Sequence, residues 1–382
     1  MKTILAITGT RADYGIYVPV FRAIERTKDL KLEVLAVGMH LKKEFGSTIE
    51  EIRRDGFQIV AEMDTLSLKD TPASMAEFVG KTTVECARVF AERKPSLVLV
   101  LGDRGEQLAA TVAATYCGIP VAQLHAGELS GSVDDAARHT ISQLASVHCT
   151  STEEDAERVR RMLGDRGRQV HRTGAPALDT IASVKLTSKE KLLTEAGLPI
   201  VGSLLLFLQH PDTLEAFSPS AQLESSLKAL ESFDGTIVIF GSNADAGGMA
   251  MNKALQEFAQ KRKNVRFMQS VPHTIFLSWM AAADILVGNS SSGIIEAASF
   301  RLPVVNIGGR QKGRTRSGNV LDAPYDAERI RTAIQTAMSD VTFRAKLKQC
   351  KNLYGDGKAS ERIAGILRTF LMEGSVASGY TA

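Results

Sequence analysis

Residues 284–296, Asp-Ile-Leu-Val-Gly-Asn-Ser-Ser-Ser-Gly-Ile-Ile-Glu, pass from a short apolar run through a polar turn into a second apolar segment. The run 285–287 is typical of a buried strand in a parallel sheet. It ends at Gly288, and the apolar pattern that resumes at Ile294 predicts a helix. Such a turn directs backbone N–H groups and the positive end of a helix dipole at one point, which favours a phosphate. The stretch therefore predicts an α/β fold with an anion site, although an ordinary capped helix has the same pattern.

Polar side chains in the same turn fit this interpretation. Ser290, Ser291 and Ser292 add hydroxyl donors, and Gly293 is expected to let a ligand approach the backbone closely. Glu296, one turn further, is placed to accept hydrogen bonds from sugar hydroxyls.

The length and charge of the chain limit its class. At 382 residues it exceeds a single hydrophobic core, so two domains are expected. The net charge of +3 is too small to indicate nucleic-acid binding. No apolar stretch reaches the roughly 20 residues that a membrane helix needs. We therefore expect neither nucleic acid nor a membrane as a partner.

The N-terminus and the thiols favour a cytoplasmic protein. Residues 1–9 resemble a signal peptide but are too short and run into a Gly-Thr-Arg turn, so we predict the first strand there. The four cysteines are widely spaced, which favours reduced thiols over a zinc site.

Short β-rich runs alternate with amphipathic segments through the first half. Strands are predicted at residues 3–8, 31–37, 58–61, 97–101, 121–124 and 147–149, and helices at 14–27, 73–92 and 106–117. Repeated β-α units imply a parallel sheet that is covered on both faces. Ligands then bind beyond the carboxyl ends of the strands.

The pattern pauses at residues 174–187, and a second set of elements follows. Its predicted strands are residues 204–208, 236–240, 265–267, 285–287 and 304–307, with helices at 221–232 and 249–261. We therefore predict two doubly wound α/β domains joined near 174–190. A final helix is predicted at 359–372, and periodicity leaves open which domain it joins.

Polar clusters follow the strands of the first half. Arg11 is either an anion clamp or a solvated turn residue. Asp103 and Arg104 are either a positioned carboxylate and an anion-facing guanidinium, or a helix cap and its charge partner.

Further acids follow the next strand. Glu128 lies beyond a small-residue turn, and Asp134 and Asp135 begin a predicted helix, where acids also stabilise the helix dipole. Carboxyl groups gathered at adjacent strand ends suit proton transfer, because like charges raise the pKa of at least one of them.

Other candidate ligand-binding residues follow the predicted strands of the second half. His210 follows the first strand, Asn243 follows the second, and Arg310 follows the last. The remaining candidates, His139, His148, His171 and His273, are interpreted as structural or surface residues. No Gly-x-Gly-x-x-Gly or Walker-type motif follows a strand, which argues against a nicotinamide cofactor and a P-loop ATPase.

Seven motifs occur in a fixed order: Thr10-Arg11-Ala12-Asp13-Tyr14, Gly102-Asp103-Arg104, His125-Ala126-Gly127-Glu128, Asp134-Asp135-Ala136-Ala137-Arg138-His139, Gln209-His210-Pro211, Gly288-Asn289-Ser290-Ser291-Ser292-Gly293 and Asn306-Ile307-Gly308-Gly309-Arg310-Gln311. Each is weak alone, but the ordered set is specific. Over nearly the whole chain it resembles the UDP-N-acetylglucosamine 2-epimerase family, especially the hydrolysing branch of sialic-acid biosynthesis.

The resemblance implies a glycosyltransferase-B fold with two Rossmann-like domains and a cleft between them. It implies a sugar-binding domain at 1–175, a UDP-binding domain at 176–358, and a helix in 359–382 that returns to the first domain. Ser290 and Ser291 would bind the diphosphate, Glu296 the ribose, and the turn 267–271 the uracil. The residues expected to line the nucleotide and phosphate site are Arg11, Arg104, His210, Asn243 and Arg310.

The family's reaction, as the resemblance implies it, eliminates UDP with loss of the C2 proton. Hydrolysing members then add water to release N-acetylmannosamine. The residues expected to act in catalysis are Asp103, Glu128, Asp134, Asp135 and His210. Neither a cofactor nor a metal is expected, and a homodimer or homotetramer is usual for the family.

Two departures and several alternatives accompany this assignment. Gly15 stands where some hydrolysing members carry serine, and Asp135 where non-hydrolysing members carry glutamate. One alternative is a hydrolysing 2-epimerase of UDP-2,4-diacetamido-2,4,6-trideoxyglucose in legionaminic-acid synthesis, and another is a non-hydrolysing epimerase. A retaining glycosyltransferase and an inactive nucleotide-sugar sensor are the alternatives from other classes.

Overall fold

The computed structural model describes residues 1–69, 71–130, 134–212, 215–242 and 247–373. The chain forms two compact units. The first unit comprises Met1–Glu128, Asp134–Ala182 and Tyr354–Ala382, and the second comprises Leu129–Val133 and Ser183–Leu353. Each unit contains one parallel sheet.

The described elements alternate between strand and helix. The strands are β1 (Lys2–Thr8), β2 (Leu30–Val37), β3 (Ile59–Met63), β4 (Leu97–Leu101), β5 (Val121–Leu124), β6 (Val147–Thr150), β7 (Val170–Arg172), β8 (Leu204–Leu208), β9 (Thr236–Phe240), β10 (Val265–Met268), β11 (Ile285–Gly288), β12 (Val304–Ile307) and β13 (Val320–Ala323). The helices are α1 (Arg11–Arg26), α2 (Ile49–Arg54), α3 (Pro72–Arg93), α4 (Gly105–Tyr116), α5 (Asp134–Leu144), α6 (Glu153–Leu163), α7 (Ala177–Ser183), α8 (Lys189–Glu195), α9 (Pro219–Leu230), α10 (Gly248–Gln260), α11 (His273–Ala282), α12 (Ser292–Ile295), α13 (Ala327–Ser339), α14 (Val341–Lys348) and α15 (Ala359–Met372).

The first sheet has the order β3-β2-β1-β4-β5-β6-β7 and is covered on both faces. Successive side chains of a strand point to opposite faces. Ile4 and Ala6 of β1 therefore join the core beneath α1 and α15, whereas Leu5 and Ile7 join the core beneath α3 and α4. The prediction of a doubly wound parallel sheet is confirmed.

The second sheet has the order β10-β9-β8-β11-β12-β13. Leu205 and Phe207 of β8 enter a core that also contains residues of α9, α10 and α13. Leu204 and Leu206, on the other face of the strand, are buried as well. The second unit thus repeats the architecture of the first, and the predicted pair of Rossmann-like sheets is confirmed.

Strand order reverses at one point in each sheet. In the first sheet the chain moves outward from β1 to β3 and then returns to β4, and in the second it moves from β8 to β10 and returns to β11. The loops after the two central strands diverge at such a switch point, which leaves a crevice for ligands at the carboxyl edge. The turns after β1 and β4, and those after β8 and β11, occupy these positions.

Some elements differ from the sequence-based expectation. The edge strands β7 and β13 had no predicted counterpart, because each is short and carries polar residues in its apolar run. The helix expected after β11 is only the four-residue α12, followed by a 3-10 turn at Ala297–Phe300. Helix dipoles act through aligned peptides, so the contribution of so short a helix to anion binding is smaller than expected.

The final helix, α15, packs in the first unit. Its Ile363 and Leu367 share a core with Tyr17 and Phe21 of α1. Within the described parts of the chain, no helix combines the length and the apolar character that a membrane crossing demands.

Candidate active site

A buried arginine lies at the centre of the carboxyl edge of the first sheet. Arg138, on α5, is 2% exposed. One of its terminal nitrogens donates to the Asp103 carboxylate. The other donates to the backbone oxygen of His125 at 3.0 Å and lies 3.8 Å from Glu128 Oε2. The structure therefore brings Asp103 and Glu128 together through one guanidinium.

Glu128 is held by two more side chains. Its Oε1 accepts a hydrogen bond from the Ser151 hydroxyl at 2.7 Å and lies 2.6 Å from His125 Nδ1. Glu128 is 2% exposed, so its charge depends on these partners rather than on water. The carboxyl groups predicted at these two strand ends are adjacent because parallel strands end at the same edge of the sheet.

Asp134 and Asp135 open α5, and both side chains are half-buried. They stand one turn before Arg138 on the same helix, a spacing that places side chains on one face. Asp135 acts electrostatically on His139, whose pKa is nevertheless lowered because burial dominates. These placements suit a catalytic role and equally a role in stabilising the helix dipole.

A second acidic group lies at the switch point between β1 and β4. Burial raises the pKa of Asp13 and of Glu106. Asp13 accepts from the Gly9 N–H at 2.9 Å and caps α1 together with Thr10. Glu106 accepts from Arg104 Nε at 2.9 Å, so the predicted anion-facing arginine is already paired with a carboxylate.

Arg11 is also engaged with a carboxylate. It forms an ion pair with Glu51 of α2, and its side chain is 18% exposed. The alternative of a freely solvated turn residue is therefore wrong for Arg11. Nearby, burial and the charge of Arg11 lower the pKa of His40 to about 3, which keeps this imidazole neutral.

The switch point of the second sheet is organised by Asn289. Its side-chain oxygen accepts from the backbone N–H of His210 at 2.7 Å, and its side-chain nitrogen donates to the backbone oxygen of His210 at 2.8 Å. The backbone oxygen of Asn289 accepts from Gln311 Nε2 at 2.9 Å and from Arg310 at 3.4 Å. His210, Ser290 and Arg310 are thereby brought together around one buried amide.

The serine turn after β11 differs in one respect from the expectation. Ser290 and Ser292 hydroxyls lie 2.8 Å apart, and Ser290 and Ser291 are both half-buried. Gly293, however, is buried, and a Cβ there would lie 3.0 Å from the side chain of Val304. Close packing of α12 on the sheet is therefore sufficient to explain a glycine at this position, and the approach of a ligand there stays a prediction.

Glu296 is paired with a histidine. Its Oε1 lies 2.7 Å from His273 Nε2, and Glu296 is 7% exposed. The interpretation of His273 as merely structural or surface therefore omitted a contact with a predicted ligand residue. His148, by contrast, is buried and bonded to the backbone oxygen of Ser142 at 2.8 Å, which fits a structural role.

Two further predictions concern the nucleotide. Asn243 lies outside the described residues. The segment 267–271 begins within β10 and continues into the turn after it, and Phe267 is half-buried in the strand. Sequence reasoning gave no functional role to seven residues of these clusters: Asp13, Glu106, His125, Arg138, Ser151, Asn289 and His273. The first six lie within or beside the quoted motifs or strand ends, but nothing local revealed their partners.

Comparison with known proteins identifies the family of the chain. The sequence profile of the UDP-N-acetylglucosamine 2-epimerase family matches residues 22–368. A Legionella pneumophila UDP-N,N'-diacetylbacillosamine 2-epimerase (hydrolyzing) is 36% identical, with 98% of each chain covered. A Neisseria meningitidis UDP-N-acetylglucosamine 2-epimerase is 34% identical, with 90% of each chain covered.

A solved structure extends the comparison to the fold. The Methanocaldococcus jannaschii UDP-GlcNAc 2-epimerase in complex with UDP-GlcNAc and UDP superposes with a TM-score of 0.79 at 20% identity, covering 96% of this chain and 99% of that one. Similar structures of this family have the glycosyltransferase-B type of fold. The family profile and two relatives above 30% identity thus agree with the ordered motifs. The chain belongs to the UDP-N-acetylglucosamine 2-epimerase family.

Proposed function

We propose that this protein is a hydrolysing 2-epimerase that converts a UDP-2-acetamido sugar and water into the free 2-epimeric sugar and UDP. The observation that carries the proposal is the pairing of Asp103 and Glu128 through the buried Arg138. Two carboxylates held at one guanidinium provide positioned groups for proton transfer next to a fixed positive charge.

The proposed reaction has two steps. In the first, a carboxylate takes the C2 proton while the C1–oxygen bond breaks, and UDP leaves to give an unsaturated 2-acetamidoglucal. In the second, water adds to C1 and a proton returns to C2 on the opposite face. We propose that Asp103, Glu128 and either Asp134 or Asp135 perform these transfers, with His210 as a further candidate. The half-buried positions of both α5 acids beside Arg138 support their inclusion.

We propose that the second unit binds the nucleotide. Ser290 and Ser291 would donate to the diphosphate, and Arg310 and Asn243 would line the same site. The buried Asn289 supports this division, because it fixes the backbone of His210 and orders the turn before the serines. Arg11 and Arg104 would contribute from the first unit, although each is also paired with a carboxylate.

Two UDP-sugars are candidates for the substrate. We favour a UDP-2,4-diacetamido-2,4,6-trideoxy sugar, because the Legionella relative named for UDP-N,N'-diacetylbacillosamine matches 98% of the chain at 36% identity. UDP-N-acetylglucosamine is the second candidate, favoured by the Neisseria relative at 34% identity over 90% of the chain. The two sugars differ at C4, where an acetamido group replaces a hydroxyl, and at C6, where a hydrogen replaces the hydroxyl.

Product analysis with the two nucleotides tests the function and the preference together. The purified protein is incubated with each nucleotide, and the products are separated by ion-exchange chromatography. We expect free sugar and UDP from both, with kcat/KM at least about tenfold higher for the diacetamido substrate, because an unmatched polar substituent costs roughly 1–3 kcal/mol. A UDP-linked epimer as the product would contradict hydrolysis, and a higher kcat/KM for UDP-N-acetylglucosamine would reverse the preference.

The oligomeric state and the cellular location of the protein are further proposals. We propose a homodimer or homotetramer in the cytoplasm, as is usual for the family. Light scattering coupled to gel filtration measures the mass of the assembly.

A further inference from the structure

We propose that His125 is a positioning residue for the epimerase reaction and acts through Glu128. Its Nδ1–H holds the Glu128 carboxylate in an ionised and fixed form. The inference rests on the proposed function, because it assigns a task to a neighbour of a proposed acid–base group. Four features of the described residues bear on it.

The first feature is the backbone of His125. Its φ is +57°, in the left-handed region of backbone conformation that residues other than glycine seldom adopt. The other described non-glycine residues with positive φ are Asp29, Ser47, Lys94 and Arg301, and none of these is buried. His125 is 5% exposed. Glycine would suit this buried backbone position better than histidine, so the presence of an imidazole here indicates that the side chain has a function.

The second feature is the bond between His125 and Glu128. The two side chains meet at 2.6 Å between Nδ1 and Oε1. Ser151 donates its hydroxyl hydrogen to the same oxygen, and Arg138 lies near the other oxygen. These donors favour the ionised carboxylate, so the hydrogen between the two side chains belongs to Nδ1.

The third feature is the other ring nitrogen. Within the described chain, the buried Nε2 of His125 has no hydrogen-bond partner. With the hydrogen on Nδ1, Nε2 carries only a lone pair. The opposite tautomer would leave a buried N–H without an acceptor, which costs the desolvation of that donor. The surroundings therefore select the tautomer that donates to Glu128.

The fourth feature is the charge around Glu128. Arg138 lies near it and belongs to α5, the helix that also carries Asp134, Asp135 and His139. Asp155 and Arg158 lie on the side of α6, where Arg158 donates to Asp155 at 3.0 Å. Burial raises the pKa of Asp155, and the nearby Glu128 raises it further. Asp103 completes the group through Arg138.

Three variants separate this role from a purely structural one. His125→Asn places an amide N–H near the position of Nδ1, and asparagine tolerates the left-handed region. His125→Gln reaches toward the position of Nε2 instead, and His125→Ala removes both. Each variant is compared with the wild type for kcat, KM and the pH profile, and its melting curve and UDP affinity verify folding.

We expect His125→Ala and His125→Gln to lower kcat about 100-fold with KM within about threefold of wild type. His125→Asn should retain kcat within about tenfold. The acid limb of the kcat profile should move to higher pH in His125→Ala, because the carboxylate loses a donor that favours its charged form. A kcat of His125→Ala within threefold of wild type, or equal losses in the alanine and asparagine variants, would overturn the inference.

A measurement without substrate keeps the inference separable from the proposed function. Nitrogen-15 NMR of histidine-labelled protein reports the tautomer, and the His125→Asn spectrum identifies the His125 signals. We expect a neutral ring with its hydrogen on Nδ1, and a changed Nδ1 signal in Glu128→Gln. A hydrogen on Nε2 alone would refute the bond even if the enzyme is active. Absence of turnover with every UDP-2-acetamido sugar would refute the proposed function, while the NMR result would still decide the bond.

Discussion

Single residues at the strand ends are positioned by partners distant in sequence. Arg138 connects Asp103 with Glu128, and Asn289 fixes the backbone of His210 from 79 positions along the chain. The motifs that contain Asp103, Glu128 and His210 could be recognised from sequence because each follows an apolar run. Their partners could not, because a local pattern carries no information on which side chain occupies the space between two strand ends.

Arg138→Met tests the importance of the bridging guanidinium. The substitution leaves two carboxylates without their shared buried cation, so we expect the free energy of unfolding to fall by about 3–5 kcal/mol at neutral pH. Activity should fall at least about 1000-fold. Urea denaturation measures the first effect and a coupled UDP assay the second. Arg160, which forms an exposed ion pair with Glu153, provides the control, because Arg160→Met should change stability by no more than about 0.5 kcal/mol.

Glu106→Gln tests the buried acidic pair. Burial, together with the neighbouring Asp13, raises the pKa of Glu106. The folded protein therefore gains stability from protonated Glu106 at low pH and loses it as the pH rises through the raised pKa. Glutamine keeps an oxygen for Arg104 but cannot ionise. The stability of Glu106→Gln relative to wild type should therefore increase from pH 5 to pH 8. Denaturation curves at several pH values measure it, and a difference that is constant with pH would count against the pair.

Glu296→Ala tests the proposed ribose contact. Loss of a carboxylate that accepts from sugar hydroxyls should weaken UDP binding about tenfold and leave 2′-deoxy-UDP binding nearly unchanged. Isothermal titration calorimetry with both nucleotides measures the difference. His273→Ala, which removes the partner of Glu296, should weaken UDP binding to a smaller extent. Equal losses for UDP and its deoxy form would show that Glu296 does not contact the 2′-hydroxyl.

At the scale of elements, apolar runs identified most strands because parallel strands are buried on both faces. The central strands β1, β4, β8 and β11 were all expected and appear with small changes at their ends. The edge strands β7 and β13 were missed because their exposure permits polar residues. The helix predicted from Ile294 is only the end of the short α12, since the apolar residues after Gly293 pack on the sheet whether or not the helix continues.

Gly288→Ala tests the turn that begins the serine segment. Gly288 has φ +139°, and a Cβ there would overlap the backbone oxygen of Leu208 on the neighbouring strand. We expect the substitution to lower the free energy of unfolding by at least about 2 kcal/mol and to abolish UDP binding. Gly80, within α3, has open space where a Cβ would stand, so Gly80→Ala should stabilise the protein by about 0.5–1 kcal/mol. Calorimetric melting of both variants gives the comparison.

At the scale of the whole molecule, chain length and the repeated β-α pattern predicted two sheets of one type, and the structure contains them. The order of motifs along the chain carried the family assignment, because no single motif is specific. The substituents at C4 and C6 of the proposed sugar could not be predicted, since the motif residues are expected to contact the nucleotide and the reacting carbons.

The central claim is that elimination at C2 precedes addition of water. The most direct measurement is the reaction of the UDP-sugar in deuterated water, followed by proton NMR of the released sugar. We predict one deuterium at C2 of a free 2-epimeric sugar, formed together with UDP, and a loss of this product in Asp103→Asn. A free sugar that retains its original proton at C2, or one with unchanged configuration, would contradict the account.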